Sequence, residues 1–239
     1  MNEQEVLKIL KKVGAIVDGH FVLQRGDHSS IYVQKDAVFP RLEDSDALAR
    51  ALAEQFTMDE VEVTIGPAVG GALFARDVAR ELQCLTQKKV HPVYAEKIGK
   101  TKFTPTMHKQ QPFGLQGEQQ FAIGRGYDRL VAGKNVLAIE DLLTTGDSAK
   151  QVIEAVRACG GNVVGLGALW NRGGVRPEDV GNVPKLFSLI NVDLEKFDPA
   201  DCPLCKADVP INMELGYGRD FLLKKARNIR DEFRDEFLS

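Results

Sequence analysis

The sequence predicts an α/β protein: a mostly parallel twisted sheet flanked by helices, with a small N-terminal hood and a C-terminal extension. Three observations carry this expectation. From residue 61 onward, short apolar runs alternate with amphipathic stretches, the pattern of parallel strands joined by crossover helices. Two strand-to-helix junctions, at residues 65–71 and 139–148, place glycines and hydroxyl side chains where a helix begins. The chain is 44% apolar and 27% charged over 239 residues, which suits one globular core with an appendage.

The elements follow in order. Residues 5–16 carry Val6, Ile9, Leu10 and Val13 on one helical face, with Gly14 near the end. Phe21 to Leu23 and Ile31 to Val33 flank Gly26-Asp27, a hairpin signal. Residues 44–56 read as a helix with Leu48, Leu52 and Phe56 along one side. Then come strand 61–65, helix 69–82, strand 90–95, strand 136–139, helix 147–159 and strand 163–169, with 187–190 as one more strand. Between them, residues 98–122 show little periodicity and hold Lys100, Lys102, His108 and Lys109, which predicts a flap over a site. Residues 199–210 are turn-rich and 221–237 read as a charged terminal helix. The expected organisation is therefore a core with its hood over 1–190 and an extension over 191–239.

Charge and hydropathy exclude several classes. A balance of 31 basic against 34 acidic residues gives no nucleic-acid footprint. No apolar run reaches the ~20 residues of a membrane span, and the first ten residues carry acids and no apolar signal region. A cytoplasmic protein with neither a membrane nor a nucleic-acid partner is expected. Cys202-Pro203-Leu204-Cys205 has the spacing of half a zinc site or of a redox pair. No second such pair and no paired histidines follow it, so the expectation is a reduced structural turn and no protein-held metal.

The densest information lies in Val136-Leu137-Ala138-Ile139-Glu140-Asp141-Leu142-Leu143-Thr144-Thr145-Gly146-Asp147-Ser148. A buried strand leads into two adjacent carboxylates, a hydroxyl-rich turn and a helix. Backbone amides at a helix N-terminus bind anions, and Thr144, Thr145 and Ser148 add hydroxyl donors. Gly146 lets the backbone approach closely, and neighbouring carboxylates can accept from two vicinal hydroxyls, as on a ribose. The segment describes a place for a sugar phosphate. Gly66, Pro67, Gly70 and Gly71 form a second such junction, and open α/β sheets bind ligands beyond the carboxyl ends of their strands.

The 136–148 segment resembles the phosphoribosyl pyrophosphate motif of the type I phosphoribosyltransferases. Residues 19–23, Gly26, His28, Ser29 and Tyr32, together with 66–71, 95–97, 125–127 and 169–172, are similar to segments of the orotate phosphoribosyltransferases. That resemblance implies transfer of a 5-phosphoribosyl group from phosphoribosyl pyrophosphate to orotate, with Mg²⁺ carried mainly on substrate oxygens. It also implies a homodimer with shared active sites. By position, Glu140 and Asp141 would hold the ribose hydroxyls, and Thr144, Thr145, Gly146, Asp147 and Ser148 the 5′-phosphate. Thr144 and Arg172 would meet the base, the guanidinium facing its carboxylate. Lys97 and Lys100 match lysines that reach the pyrophosphate in a neighbouring subunit, and with Asp141 they form the expected catalytic set. The chain departs from the family in having Gln24 in the hairpin, Lys102 near an expected histidine, and glycine at position 70. Two alternatives stay open: a transferase for a purine or other base, and a non-catalytic sensor of phosphoribosyl pyrophosphate.

Overall fold

The computed structural model describes residues 1–23, 25–98, 120–192, 195–224 and 226. The chain forms two compact units, one of residues 1–13 with 35–193 and the other of 14–34 with 194–239. Among the described residues, no helix is long and apolar enough to cross a membrane.

The larger unit opens with α1 (Glu3–Lys12), started by a reciprocal capping box between Asn2 and Glu5. This helix stops earlier than its apolar periodicity suggested, because Gly14 turns the chain at φ +75° and Ile16 already begins a strand. Then follow α2 (Leu42–Ala53), β3 (Val63–Pro67), α3 (Gly70–Thr86), β4 (His91–Ile98), β5 (Gln120–Ala122), α4 (Asp128–Val131), β6 (Asn135–Leu143), α5 (Asp147–Ala158), β7 (Asn162–Asn171) and β8 (Leu186–Asn191). The six strands form one sheet in the order β5-β4-β3-β6-β7-β8. All neighbours are parallel except β5, which returns antiparallel along β4. The predicted mostly parallel sheet is present.

Both faces of the sheet are covered, which is why its strands read as unbroken apolar runs. Val136 and Ala138 pack with Val152, Ile153 and Val156 of α5. On the other parity, Ile139 lies beside Leu52 of α2 across Gly167, where a Cβ would come within 3.1 Å of both.

The smaller unit is a hairpin with a returning tail. β1 (Ile16–Val22) pairs antiparallel with β2 (His28–Val33) around Gly26. The tail is tied to this hairpin through the backbone: His28 and Phe197 exchange two 2.8 Å bonds, and the Asn212 and Tyr217 amides donate to the carbonyls of His20 and Val22. These bonds group the hood with 194–239 rather than with the core, unlike the division expected from sequence. α6 (Pro203–Lys206) begins directly after Cys202. Residues 218–224 are helical; most of the expected terminal helix lies outside the described residues.

Candidate active site

The sheet order reverses between β3 and β6. β3 continues through α3 to β4 on one side, and β6 through α5 to β7 on the other. The loops leaving these two strands diverge and open a crevice beyond their carboxyl ends. Both glycine- and hydroxyl-bearing junctions lie there.

The acidic pair sits within β6 instead of after it. Glu140 stands opposite Ala168 and Leu143 opposite Asn171, because β7 runs on alongside and keeps the ladder going past the carboxylates. Glu140 is 5% exposed and Asp141 1%. They meet the first residues of α3. A Cβ at Gly70 would collide with Asp141 Oδ2, and one at Gly71 would stand 3.1 Å from Glu140 Oε1. A Cβ at Gly66 would strike the Gly71 carbonyl, so the turn through Pro67, the last residue of β3, closes only around a bare backbone. The Ala68 amide donates to Ala95 at 2.9 Å, which sets the end of β4 against this turn.

Lys35 completes the acidic centre. Its Nζ donates to Asp141 Oδ2 at 2.7 Å. Burial alone would lower the Lys35 ammonium, but the hydrogen bond to Asp141 and the charges of Asp141, Asp36 and Glu140 outweigh it and hold the group above its ordinary value. Glu140 is pushed well above the usual carboxylate range, first by burial, then by the charge of Asp141 and a side-chain hydrogen bond with it. The Asp141 amide and the Lys35 charge oppose that shift without overcoming it.

After Leu143 the chain turns outward. Thr144, Thr145 and Asp147 are exposed, Ser148 is half-buried, and Gly146 is buried at φ +82° as the residue before α5. The Thr145 hydroxyl donates to Asp147 Oδ2 at 2.7 Å and receives the Asp147 amide at 3.4 Å, which shapes the loop. The first amides of α5 point beyond the helix end, where an anion is favoured. Arg172 follows β7, and its amide donates to the Leu143 carbonyl at 2.9 Å. That bond sets Arg172 beside Thr144, and the approach is close enough that a Cβ at Gly173 would meet the Thr144 carbonyl.

Lys97 lies near the carboxyl end of β4, exposed, with its Nζ 5.5 Å from the centre of the Phe121 ring. Lys100 falls outside the described residues, as does most of the expected flap. The structure thus sets Glu140 and Asp141 against the Gly66, Pro67, Gly70 and Gly71 turn, and Arg172 beside Thr144 of the 144–148 loop, all at the carboxyl ends of β3, β6 and β7. Sequence reasoning missed Lys35, which lies 106 residues from its partner and follows no recognisable spacing.

Known proteins resemble this chain in sequence and in fold. Residues 40–201 match the family model described as "Phosphoribosyl transferase domain". A curated orotate phosphoribosyltransferase of Caldanaerobacter subterraneus subsp. tengcongensis is 33% identical over 211 residues, 88% of this chain and 96% of that protein. Another, of Thermotoga maritima, is 36% identical over 205 residues, 86% of this chain and 94% of that protein. Among solved structures, the orotate phosphoribosyltransferase of Mycobacterium tuberculosis H37Rv superposes with a TM-score of 0.58 at 20% identity, covering 80% of this chain and 96% of that one. The enzyme of Aeropyrum pernix gives 0.53 at 24%, covering 78% and 93%. These two structural likenesses concern the fold.

Proposed function

Because the chain belongs to the phosphoribosyl transferase family, and within it to the orotate phosphoribosyltransferases, we propose the following chemistry for its crevice. It transfers a 5-phosphoribosyl group from phosphoribosyl pyrophosphate to orotate, giving orotidine 5′-monophosphate and pyrophosphate, a step of pyrimidine nucleotide synthesis. The observation that carries this reading is the buried Glu140–Asp141 pair set against the bare backbone of Gly70 and Gly71.

A nitrogen of orotate forms the new bond to the anomeric carbon as the bond to pyrophosphate breaks, through an oxocarbenium-like transition state. No covalent nucleophile is needed, so catalysis comes from positioning and from stabilising the departing charge. Glu140 and Asp141 receive the ribose hydroxyls, with Lys35 offsetting the negative charge of Asp141. Thr144 to Ser148 and the amides opening α5 hold the 5′-phosphate. The 66–71 turn and the start of α3 hold pyrophosphate. Arg172 pairs with the carboxylate of orotate in the bidentate geometry that a guanidinium allows.

Two adjacent carboxylates are hard oxygen donors that fit Mg²⁺, a cation that keeps substrate oxygens and waters as most of its ligands. When bound, it would neutralise charge on pyrophosphate and ribose oxygens, with Glu140 and Asp141 as its protein neighbours. Lys97 at the end of β4, and Lys100 beyond it, serve the leaving pyrophosphate of a second copy's site in a homodimer, as the family resemblance implies. A cytoplasmic location accords with this substrate set.

Asp141→Asn tests the sugar half of the reading. It removes charge without changing volume and should cut turnover severely while leaving the melting temperature close to wild type. Wild-type rates of pyrophosphate release in that variant would remove Asp141 from the mechanism.

A further inference from the structure

In the smaller unit, four side chains from two distant stretches of chain converge. His20 lies in β1, His28 opens β2, and Cys202 and Cys205 belong to the start of α6. One ligand atom from each lies within 4.8 Å of all the others. His20, His28 and Cys202 are at most 1% exposed, and Cys205 is half-buried.

We propose that His20, His28, Cys202 and Cys205 bind a single structural zinc ion that fastens the C-terminal tail to the N-terminal hairpin. The half-site seen in the Cys-Pro-Leu-Cys turn finds its other half upstream, in the hairpin, instead of in a second pair downstream. Cys205 and His28 are 177 residues apart, so no local spacing announces the set.

The distances are those of one tetrahedral ion. Zinc bonds of about 2.3 Å to sulfur and about 2.0–2.1 Å to nitrogen give nitrogen–sulfur edges of about 3.6 Å. His20 Nε2 stands 3.6 Å from Cys202 Sγ and 3.7 Å from Cys205 Sγ, and His28 Nδ1 stands 3.4 Å from Cys205 Sγ. The two ring nitrogens are 2.8 Å apart, and taking the ion requires them to part by about half an ångström. In a two-iron cluster the cysteine pair and the histidine pair sit on different irons, which these short nitrogen–sulfur separations do not allow.

The protonation pattern agrees. His20 Nδ1 lies 2.7 Å from the Val209 carbonyl, which can only accept. Nδ1 is therefore the donor, and Nε2 is the nitrogen left to face Cys202, Cys205 and His28 Nδ1. A backbone carbonyl that accepts from the far ring nitrogen and so fixes the tautomer of a ligating histidine is the usual support of such sites. Four protein ligands fill the tetrahedron and leave no open position for substrate, so the ion is structural. The unit needs such a fastening: its buried apolar residues, among those described, are Ala15, Phe21, Val22, Leu23, Val33 and Cys202. A core that small rarely holds a fold without a metal or disulfide.

The test is metal analysis of untagged protein purified without chelator, followed by cobalt titration of the chelator-stripped wild type. The proposal expects about one zinc per chain. It further expects a tetrahedral cobalt spectrum with thiolate charge-transfer bands, titrating to one equivalent and abolished by added zinc. Cys205→Ser and His28→Ala should each lose most of the metal. Should either variant fail to fold, the cobalt spectrum of the wild type still decides. A wild type that carries no zinc and gives no tetrahedral cobalt spectrum overturns the proposal. So does iron with acid-labile sulfide, or a Cys205→Ser variant that keeps its full metal content.

Discussion

Glu140→Gln should make the protein more stable and less active, and the stability gain should grow with pH. Glu140 is 5% exposed beside a second carboxylate. Burial, the Asp141 charge and their side-chain hydrogen bond all favour its protonated form, so its pKa lies well above the usual carboxylate range. The folded state therefore binds this proton more tightly than the unfolded chain does. Stability that the group contributes is fully present below the unfolded pKa and is lost as pH rises through the raised folded value. Glutamine carries no such proton and keeps an oxygen for the Asp141 amide, which Glu140 Oε1 now accepts at 3.2 Å. Stabilising substitutions commonly yield about 0.5–2 kcal/mol each, with a loss of activity where they fall in a functional site. In a chain of this size each 1 kcal/mol moves the melting temperature by about 2–4 °C. Melting curves of wild type and variant at mildly acidic and mildly alkaline pH, with pyrophosphate release measured on the same samples, give both readouts. A variant that melts lower than wild type under alkaline conditions, or a gap that narrows as pH rises, refutes the reasoning.

Arg172→Ala should raise the KM for orotate about 30- to 150-fold, the equivalent of roughly 2–3 kcal/mol for a lost charge-assisted hydrogen bond. The KM for phosphoribosyl pyrophosphate should hardly move, and equal changes in both constants would take Arg172 out of the base pocket. Mixing an Asp141→Asn chain with a Lys97→Ala or Lys100→Ala chain should restore part of the activity that each lacks alone. Absence of rescue with both lysine variants would contradict shared active sites.

What the sequence made legible was local. The 136–148 stretch announces strand, acids, loop and helix because all four follow one another along the chain, and their order alone predicts a phosphate site. The glycine turn at 66–71 was legible for the same reason, although its purpose, keeping Cβ atoms away from Asp141 and from the turn's own carbonyl, shows only in three dimensions. Boundaries shifted where tertiary partners decide them. β6 extends through the acids because β7 pairs with it up to Asn171, and α1 ends early because Gly14 turns the chain. The unread features are pairings between distant segments. Lys35 reaches Asp141 from a single 3-10 turn that carries no signature, and His20 and His28 meet cysteines at the far end of the chain. Burial and charge select these contacts, and neither leaves a spacing to read.

The central claim, that this crevice joins phosphoribose to orotate, is tested most directly by incubating the protein with phosphoribosyl pyrophosphate, Mg²⁺ and, separately, orotate, uracil, hypoxanthine and adenine, and measuring nucleotide formed. The account predicts orotidine 5′-monophosphate from orotate and little product from the others, because only orotate offers a carboxylate to Arg172. Preferential conversion of a purine, or no nucleotide from any base, would contradict it.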